Sequence, residues 1–166
     1  MPIVGRINIL GTVQETLAVP ENHTGSMFDI VQGAYDFTNG GAAGQNNLVW
    51  SDARQVGVGA NDDIVLTGGG LLDVFGNAVN FSTVTAIVIS NIEAVVGEDI
   101  LVLPHPVNSF MWTFAAVGDA IEVRAVSVYA QWSDTGQTTG GGATTLRITN
   151  NGAAAIDYNI LIVGRV

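Results

Sequence analysis

The chain has 166 residues, enough for one domain whose core hides about two-thirds of the unfolded surface. It has no cysteine, which excludes disulfides, thiolate metal centres and a cysteine nucleophile. Its net charge is −10, lysine is absent, and the five cations are Arg6, Arg54, Arg124, Arg147 and Arg165, a balance that repels polyanions and argues against nucleic acid as a partner.

Charged residues make up 12% of the chain, against about 25% in ordinary domains. Small, uncharged polar or apolar side chains must therefore cover much of the surface, and burial against partner subunits is a common reason for such a surface. The start of the chain lacks a basic stretch followed by an apolar one, and no apolar run approaches the roughly 18–20 residues that span a bilayer. The expectation is a soluble product with no membrane partner.

Residues 1–10 are apolar and lightly charged. A strand is expected over 4–10, able to join a neighbour's sheet edge through Ile3, Val4, Ile7 and Ile9. Residues 20–26 read as a loop, after which Ser26 can cap a helical turn over 27–31. A Gly- and Asn-rich loop over 38–46 presents Asn39, Gln45 and Asn46 to partners. Short strands follow over 47–50, 55–58 and 63–66, then a second helical turn over 71–75 ended by Gly76. Period-two runs of β-branched and aromatic residues predict strands over 84–91, 100–103, 109–114, 144–150 and 155–163. The clearest run, 120–132, is expected to be one central strand: Ile121, Val123 and Ala125 share one phase, and Val126, Val128 and Ala130 take up the other. Residues 133–142 read as a second partner-reaching loop with Gln137 and Thr138 in it.

These elements predict an all-β fold: one β-sandwich domain over 1–166, jelly-roll-like or immunoglobulin-like, since strand count and alternation suit both, with at most one or two short helical turns. Its core is expected from Ile87, Ile89, Ile121, Val123, Ile148 and Ile162. The chain also echoes itself. Residues 85–91 followed by 99–102, and 145–150 followed by 159–163, each read strand, Asn-bearing turn, strand, as two related hairpins on opposite sheets would.

No residue pattern points to catalysis, a cofactor or a metal. His23 and His105 have no second histidine at ligand spacing, and His105 between two prolines reads as a rigid surface turn. The acidic pairs Asp62–Asp63 and Glu98–Asp99 lack calcium-loop spacing and read as solvated strand entrances. No Gly-x-Ser-x-Gly or Walker-type motif is present. Trp112 and Trp132 read as core or interface residues rather than a sugar platform.

Two stretches resemble a known family. Residues 63–91, centred on Gly68-Gly69-Gly70-Leu71-Leu72-Asp73-Val74-Phe75-Gly76-Asn77, and residues 148–164, ending Asn159-Ile160-Leu161-Ile162-Val163-Gly164, are similar to segments of small structural proteins encoded beside the capsid genes of tailed bacteriophages. The resemblance implies a sandwich or jelly-roll unit on the virion: a capsid decoration (cement) protein, made in the host cytoplasm, trimeric at local threefold positions and bridging subunits of the major capsid protein. Rival readings are a tail-fibre or receptor-binding module that holds a glycan, and a capsid or tail subunit.

Overall fold

The computed structural model describes residues 5–18, 24–73, 75–112 and 114–166. The strands, in chain order, are β1 (Gly5–Ala18), β2 (Thr24–Asn39), β3 (Gln45–Asn46), β4 (Leu48–Val56), β5 (Asn61–Val65), β6 (Leu71–Leu72), β7 (Ala78–Val79), β8 (Thr83–Asn91), β9 (Ile100–Pro104), β10 (Ile121–Val123), β11 (Ser127–Thr138), β12 (Thr145–Asn150) and β13 (Ile156–Arg165). The fold is all-β, a sandwich of two antiparallel four-stranded sheets, with a β6–β7 hairpin and a separate β1–β2 ribbon.

One sheet has the order β11-β8-β13-β4 and the other β10-β9-β12-β5. Alternation along each strand turns one set of side chains inward. Ile87, Ile89, Ile160 and Ile162 of the first sheet meet Ile100, Val102, Leu146 and Ile148 of the second in one apolar core. Trp50, Phe81, Phe110 and Tyr158 fill it further. The expected core residues are all in place, with Ile121 half-buried against the cluster.

The two segments that echo each other in the sequence occupy equivalent places, but neither is a hairpin within one sheet. β8 leaves the first sheet and enters the second as β9, whereas β12 leaves the second and enters the first as β13. Each is an arch between sheets, and the arches pack on each other through β8–β13 and β9–β12. A buried asparagine stands at the head of each. The Asn91 amide donates to the carbonyls of Glu98 at 2.8 Å and Val123 at 3.1 Å, and its oxygen accepts the Glu93 N–H. The Asn150 amide donates to Val56 at 3.0 Å and Ala154 at 2.7 Å, and its oxygen accepts the Gly152 N–H.

Several expectations are corrected. Residues 27–31 lie in β2, because a continuous ladder with β1 outweighs one isolated helical turn, which is marginal in water. The described residues of 71–75 make no helical turn either. Leu71 and Leu72 pair with Val79 and Ala78, and the Asp73 carboxylate closes the bend by accepting the N–H groups of Phe75 and Asn77. The described residues of 109–114 form no strand beyond a bridge at Ser109; Trp112 takes a positive φ of 25° and stacks on Phe110 with ring centroids 5.9 Å apart.

Residues 120–132 are two strands, not one, and neither is central. The chain turns at Val126, whose φ is 56°, and passes from β10 at the edge of one sheet to β11 at the edge of the other. That corner lies where the apolar phase slips by one residue. The segment 133–142 is strand as far as Thr138. An irregularity before Gln137 is accommodated by Gly136, where a Cβ would lie 2.4 Å from the Val84 carbonyl oxygen.

Replacing Asn150 by Ala removes the amide from the carbonyl of buried Val56 and from that of Ala154 and should lower the unfolding free energy in urea by about 1–3 kcal/mol. The same change at its exposed neighbour Asn151 should be nearly neutral. Equal effects at both positions would refute the arch assignment.

Candidate interaction surface

The register of the β11-β8-β13-β4 sheet defines what its outer face carries. One row across the sheet reads Val128, Ser90, Asn159, Ala53; the next reads Ala130, Val88, Leu161, Ser51; the third reads Trp132, Ala86, Val163, Val49. None of these twelve positions holds a charge. The first charge along β13 is Asp157, one row beyond, and it accepts the Gln55 side-chain amide at 2.8 Å. A shallow depression over the face is lined by Ser51, Ala53, Val88, Ser90, Asn159 and Leu161 of these rows together with Asp52 and Ile160.

The third row is covered from within the chain. Phe37, near the end of β2, is 6% exposed and packs with Ala86 and Val163, with Val49, Trp132 and Leu161 around it. This seats the root of the β1–β2 ribbon on the outer face. β3 continues the root by pairing in parallel with Thr38 and Asn39, and Asn46 is fully buried there, accepting the Thr85 hydroxyl at 2.6 Å. The Asn47 N–H donates to the Gly164 carbonyl, and the Val166 N–H to the Asn47 side chain.

Ile7 and Ile9 belong to β1 and pair with Tyr35 and Gly33, so this stretch forms its ladder inside its own chain. Ile3 and Val4 lie outside the described residues. The structure brings Asn39, Gln45 and Asn46 together at the ribbon root, where Asn46 serves the chain's own interior and Gln45 accepts the Ala42 N–H. Gln137 and Thr138 pair with Val84 and Thr83. The two segments expected to reach partners as loops meet each other, since Gly44 donates to the Asp134 carbonyl at 3.1 Å. Sequence reasoning missed the outer face itself; its signal was that strands 84–91 and 120–132 are apolar in both phases.

The titratable groups are committed to structure. Asp62, expected to be solvated, has a side chain only 14% exposed and is held by Arg54 at 2.6 Å. Tyr158 also donates to it at 2.6 Å. This cluster joins β4 and β13 of one sheet to β5 of the other. Burial pushes the Asp62 carboxyl up, but the hydrogen bonds from Arg54 and Tyr158 outweigh it and hold the group below the usual range. Burial, aided by the Asp62 hydrogen bond, pushes the Tyr158 hydroxyl far above the usual tyrosine range. The Arg147 hydrogen bond likewise holds Asp63 low.

His105 is a turn residue, as expected: its Nδ1 accepts the N–H groups of Val107 and Asn108, and its Nε2 lies 3.6 Å from Asp63. His23 lies outside the described residues. Glu98 accepts the Ala154 N–H and Asp99 the Ala125 N–H. Among the described residues no group of three or more His, Asp or Glu side chains is placed to hold a metal ion.

The Asp62 shift makes a prediction about acid stability. An unfolded aspartate takes up its proton near pH 3.9, and folded Asp62 does so only at lower pH, so from about pH 5 downward the unfolded state binds more protons and stability falls. Thermal melts of Asp62→Asn should therefore start from a lower melting temperature at pH 6 and decline less steeply from pH 5 to pH 3 than the parent. Parallel declines would contradict the assignment. No family model, curated protein or solved structure matches the chain.

Proposed function

We propose that this protein is a virion structural protein: a capsid decoration protein that bridges major capsid subunits on the head of a tailed bacteriophage, acting as a homo-oligomer, in the simplest case a trimer. The observation that carries the proposal is the uncharged outer sheet face with a β-ribbon rooted on it, a surface suited to contact with protein. Its role is assembly rather than catalysis, with buried interface area as the source of function.

Other features support the reading. The strand orders β11-β8-β13-β4 and β10-β9-β12-β5 make an eight-stranded double sheet, the strand count and layering of a jelly roll, and this supports the virion reading. The two stretches that resemble phage structural proteins fall on the β5–β8 region and on β12–β13, which carry half of the sandwich strands. A net charge of −10 keeps the protein off packaged nucleic acid and suits docking on a basic capsid surface.

The test is cosedimentation of the purified protein with phage heads that lack their decoration, alongside light scattering on a sizing column. Saturable retention on the heads and a discrete oligomer of the 17.2 kDa chain are the expected results. A protein that stays monomeric, ignores heads and binds host polysaccharide would move the assignment to a receptor-binding module.

A further inference from the structure

The two sheets end in four edge strands, β11 and β4 in one, β10 and β5 in the other. An edge strand offers a row of unpaired N–H and C=O groups to any extended chain alongside it, and folds blunt such edges by shortening, bulging or covering them. β10 and β5 are short, at three and five residues. β11 has an irregularity before Gln137 and receives the Gly44 N–H on its Asp134 carbonyl. β4 has none of these protections. It runs nine residues in unbroken register with β13, without proline or bulge, a regular edge about 30 Å long.

The register tells which backbone groups are open. The Ile92 N–H bonds to the Asp157 carbonyl, so along β13 residues 157, 159 and 161 turn their backbone groups toward β8, and Tyr158, Ile160 and Ile162 turn theirs toward β4. The partners of these three are Arg54, Asp52 and Trp50. Val49, Ser51, Ala53 and Gln55 are left with N–H and C=O facing away from the sheet, and among the described residues no backbone group from outside the sheet bonds to them. Space lies along this edge. A cleft of about 550 Å³ separates residues 47–51 from Asp73, Phe75 and Asn77 of the β6–β7 hairpin. A second, of about 380 Å³, lies between Trp50, Asp52 and Arg54 and residues 70–73. A third, of about 330 Å³, runs on between residues 52–57 and the start of β5 at Asn61 and Asp62.

From this edge and cleft we infer that β4 receives an extended, cationic segment of a partner protein as a fifth strand of the β11-β8-β13-β4 sheet. The open backbone groups select an extended chain, and the cleft wall, with Trp50 on one side and exposed Leu72 and Phe75 on the other, takes apolar side chains at every second position. Charge selects the sign. Along the cleft the carboxylates of Asp52, Asp62 and Asp73 face a single guanidinium, that of Arg54. Asp62 is committed to Arg54 and Tyr158, whereas the Asp52 side chain is 45% exposed, so a lysine or arginine on the incoming strand is matched and a glutamate is not. A second copy of this chain is the poorer occupant, because any strand it offers comes with a further net charge of −10 and no lysine. The occupant is a segment of the capsid subunit, the partner in the function proposed above, and to that extent the inference rests on that reading.

The experiment uses the whole chain and a labelled peptide as long as β4, nine residues, in which valine alternates with lysine or threonine. Two control peptides carry glutamate for lysine or proline for threonine. Fluorescence anisotropy should show saturable binding of the cationic peptide that weakens at high salt, with both controls at least about tenfold weaker. Ala53→Pro removes one outward N–H at a place where an edge strand tolerates proline; it should keep its thermal melt and bind the cationic peptide about tenfold more weakly. Asp52→Asn should weaken that peptide and flatten its salt dependence. Equal binding of the three peptides, undiminished binding by folded Ala53→Pro, or no binding by the parent would overturn the edge site. Should Ala53→Pro fail to fold, amide exchange on the parent decides: the cationic peptide must protect Val49, Ser51, Ala53 and Gln55, and unchanged exchange there overturns the site. Cosedimentation with undecorated heads separates the site from the function. Equal retention of the parent and Ala53→Pro would overturn the capsid strand as occupant and leave decoration standing, whereas a protein that binds the peptide and ignores heads would overturn decoration and leave the edge site standing.

Discussion

Two side-chain amides hold the sandwich at the points where the chain crosses between its sheets. Asn91 and Asn150 are both nearly inaccessible, and each spends its two N–H bonds on backbone carbonyls and its oxygen on a loop N–H. A crossing must turn the backbone through a buried region, where an unmatched carbonyl is costly. An asparagine at the strand end answers this with one residue that is both donor and acceptor. The two arches they hold supply β8, β9, β12 and β13, all four central strands of the sandwich. Edge strands, ribbon and loops are arranged around that interlocked pair.

Charge is used sparingly on this frame and mostly for internal purposes. Arg54 with Asp62, Arg147 with Asp63, Arg6 with Asp36 and Arg124 with Glu122 form ion pairs. Arg165 reaches the Thr135 carbonyl. Every arginine thus engages a group of its own chain, and the excess of acids carries the net charge. The Arg54–Asp62–Tyr158 cluster is half-buried and ties one sheet to the other, so its value lies in fixing alignment as much as in Coulomb energy. The outer face of the β11-β8-β13-β4 sheet, in contrast, has neither charge nor ion pair across its three rows, so covering it, as Phe37 does in the third row, strips water from no ionic group there.

The central strands were legible because β8, β9, β12 and β13 are rich in Ile and Val with period-two alternation, and their expected bounds differ from the observed ones by a residue or two at most ends. The arches were visible as an echo of strand, asparagine, strand, though only the pairing shows that each changes sheets. The corner at Val126 was written as a slip in apolar phase and was read as one long strand with two apolar faces. The ribbon was not legible as a ribbon. Gly25, Gly33 and Ala34 dilute the alternation of β2, and Ser26 ahead of an apolar run imitates a helix start; pairing with β1 overrides both. The interaction surface was hidden for a related reason. Which of two apolar phases faces outward is decided by the partner sheet, and that information is not local.

The order in which strands pair bears on how the protein is made. β12 lies between β9 and β5, and β13 between β8 and β4, so both come later in the chain than each of their partners. Until these two emerge, neither sheet can close: β4 and β8 have no common neighbour, and nor do β5 and β9. The pairing of Val56 with Ile156 spans nearly the whole sandwich in sequence. Contacts this distant carry a large loop-closure entropy and slow the folding of β domains. A nascent chain therefore holds several apolar strands with open edges until its last segment arrives. In a protein whose folded surface is already poor in charge, that interval during synthesis is the stage at which misassembly between copies competes most directly with folding.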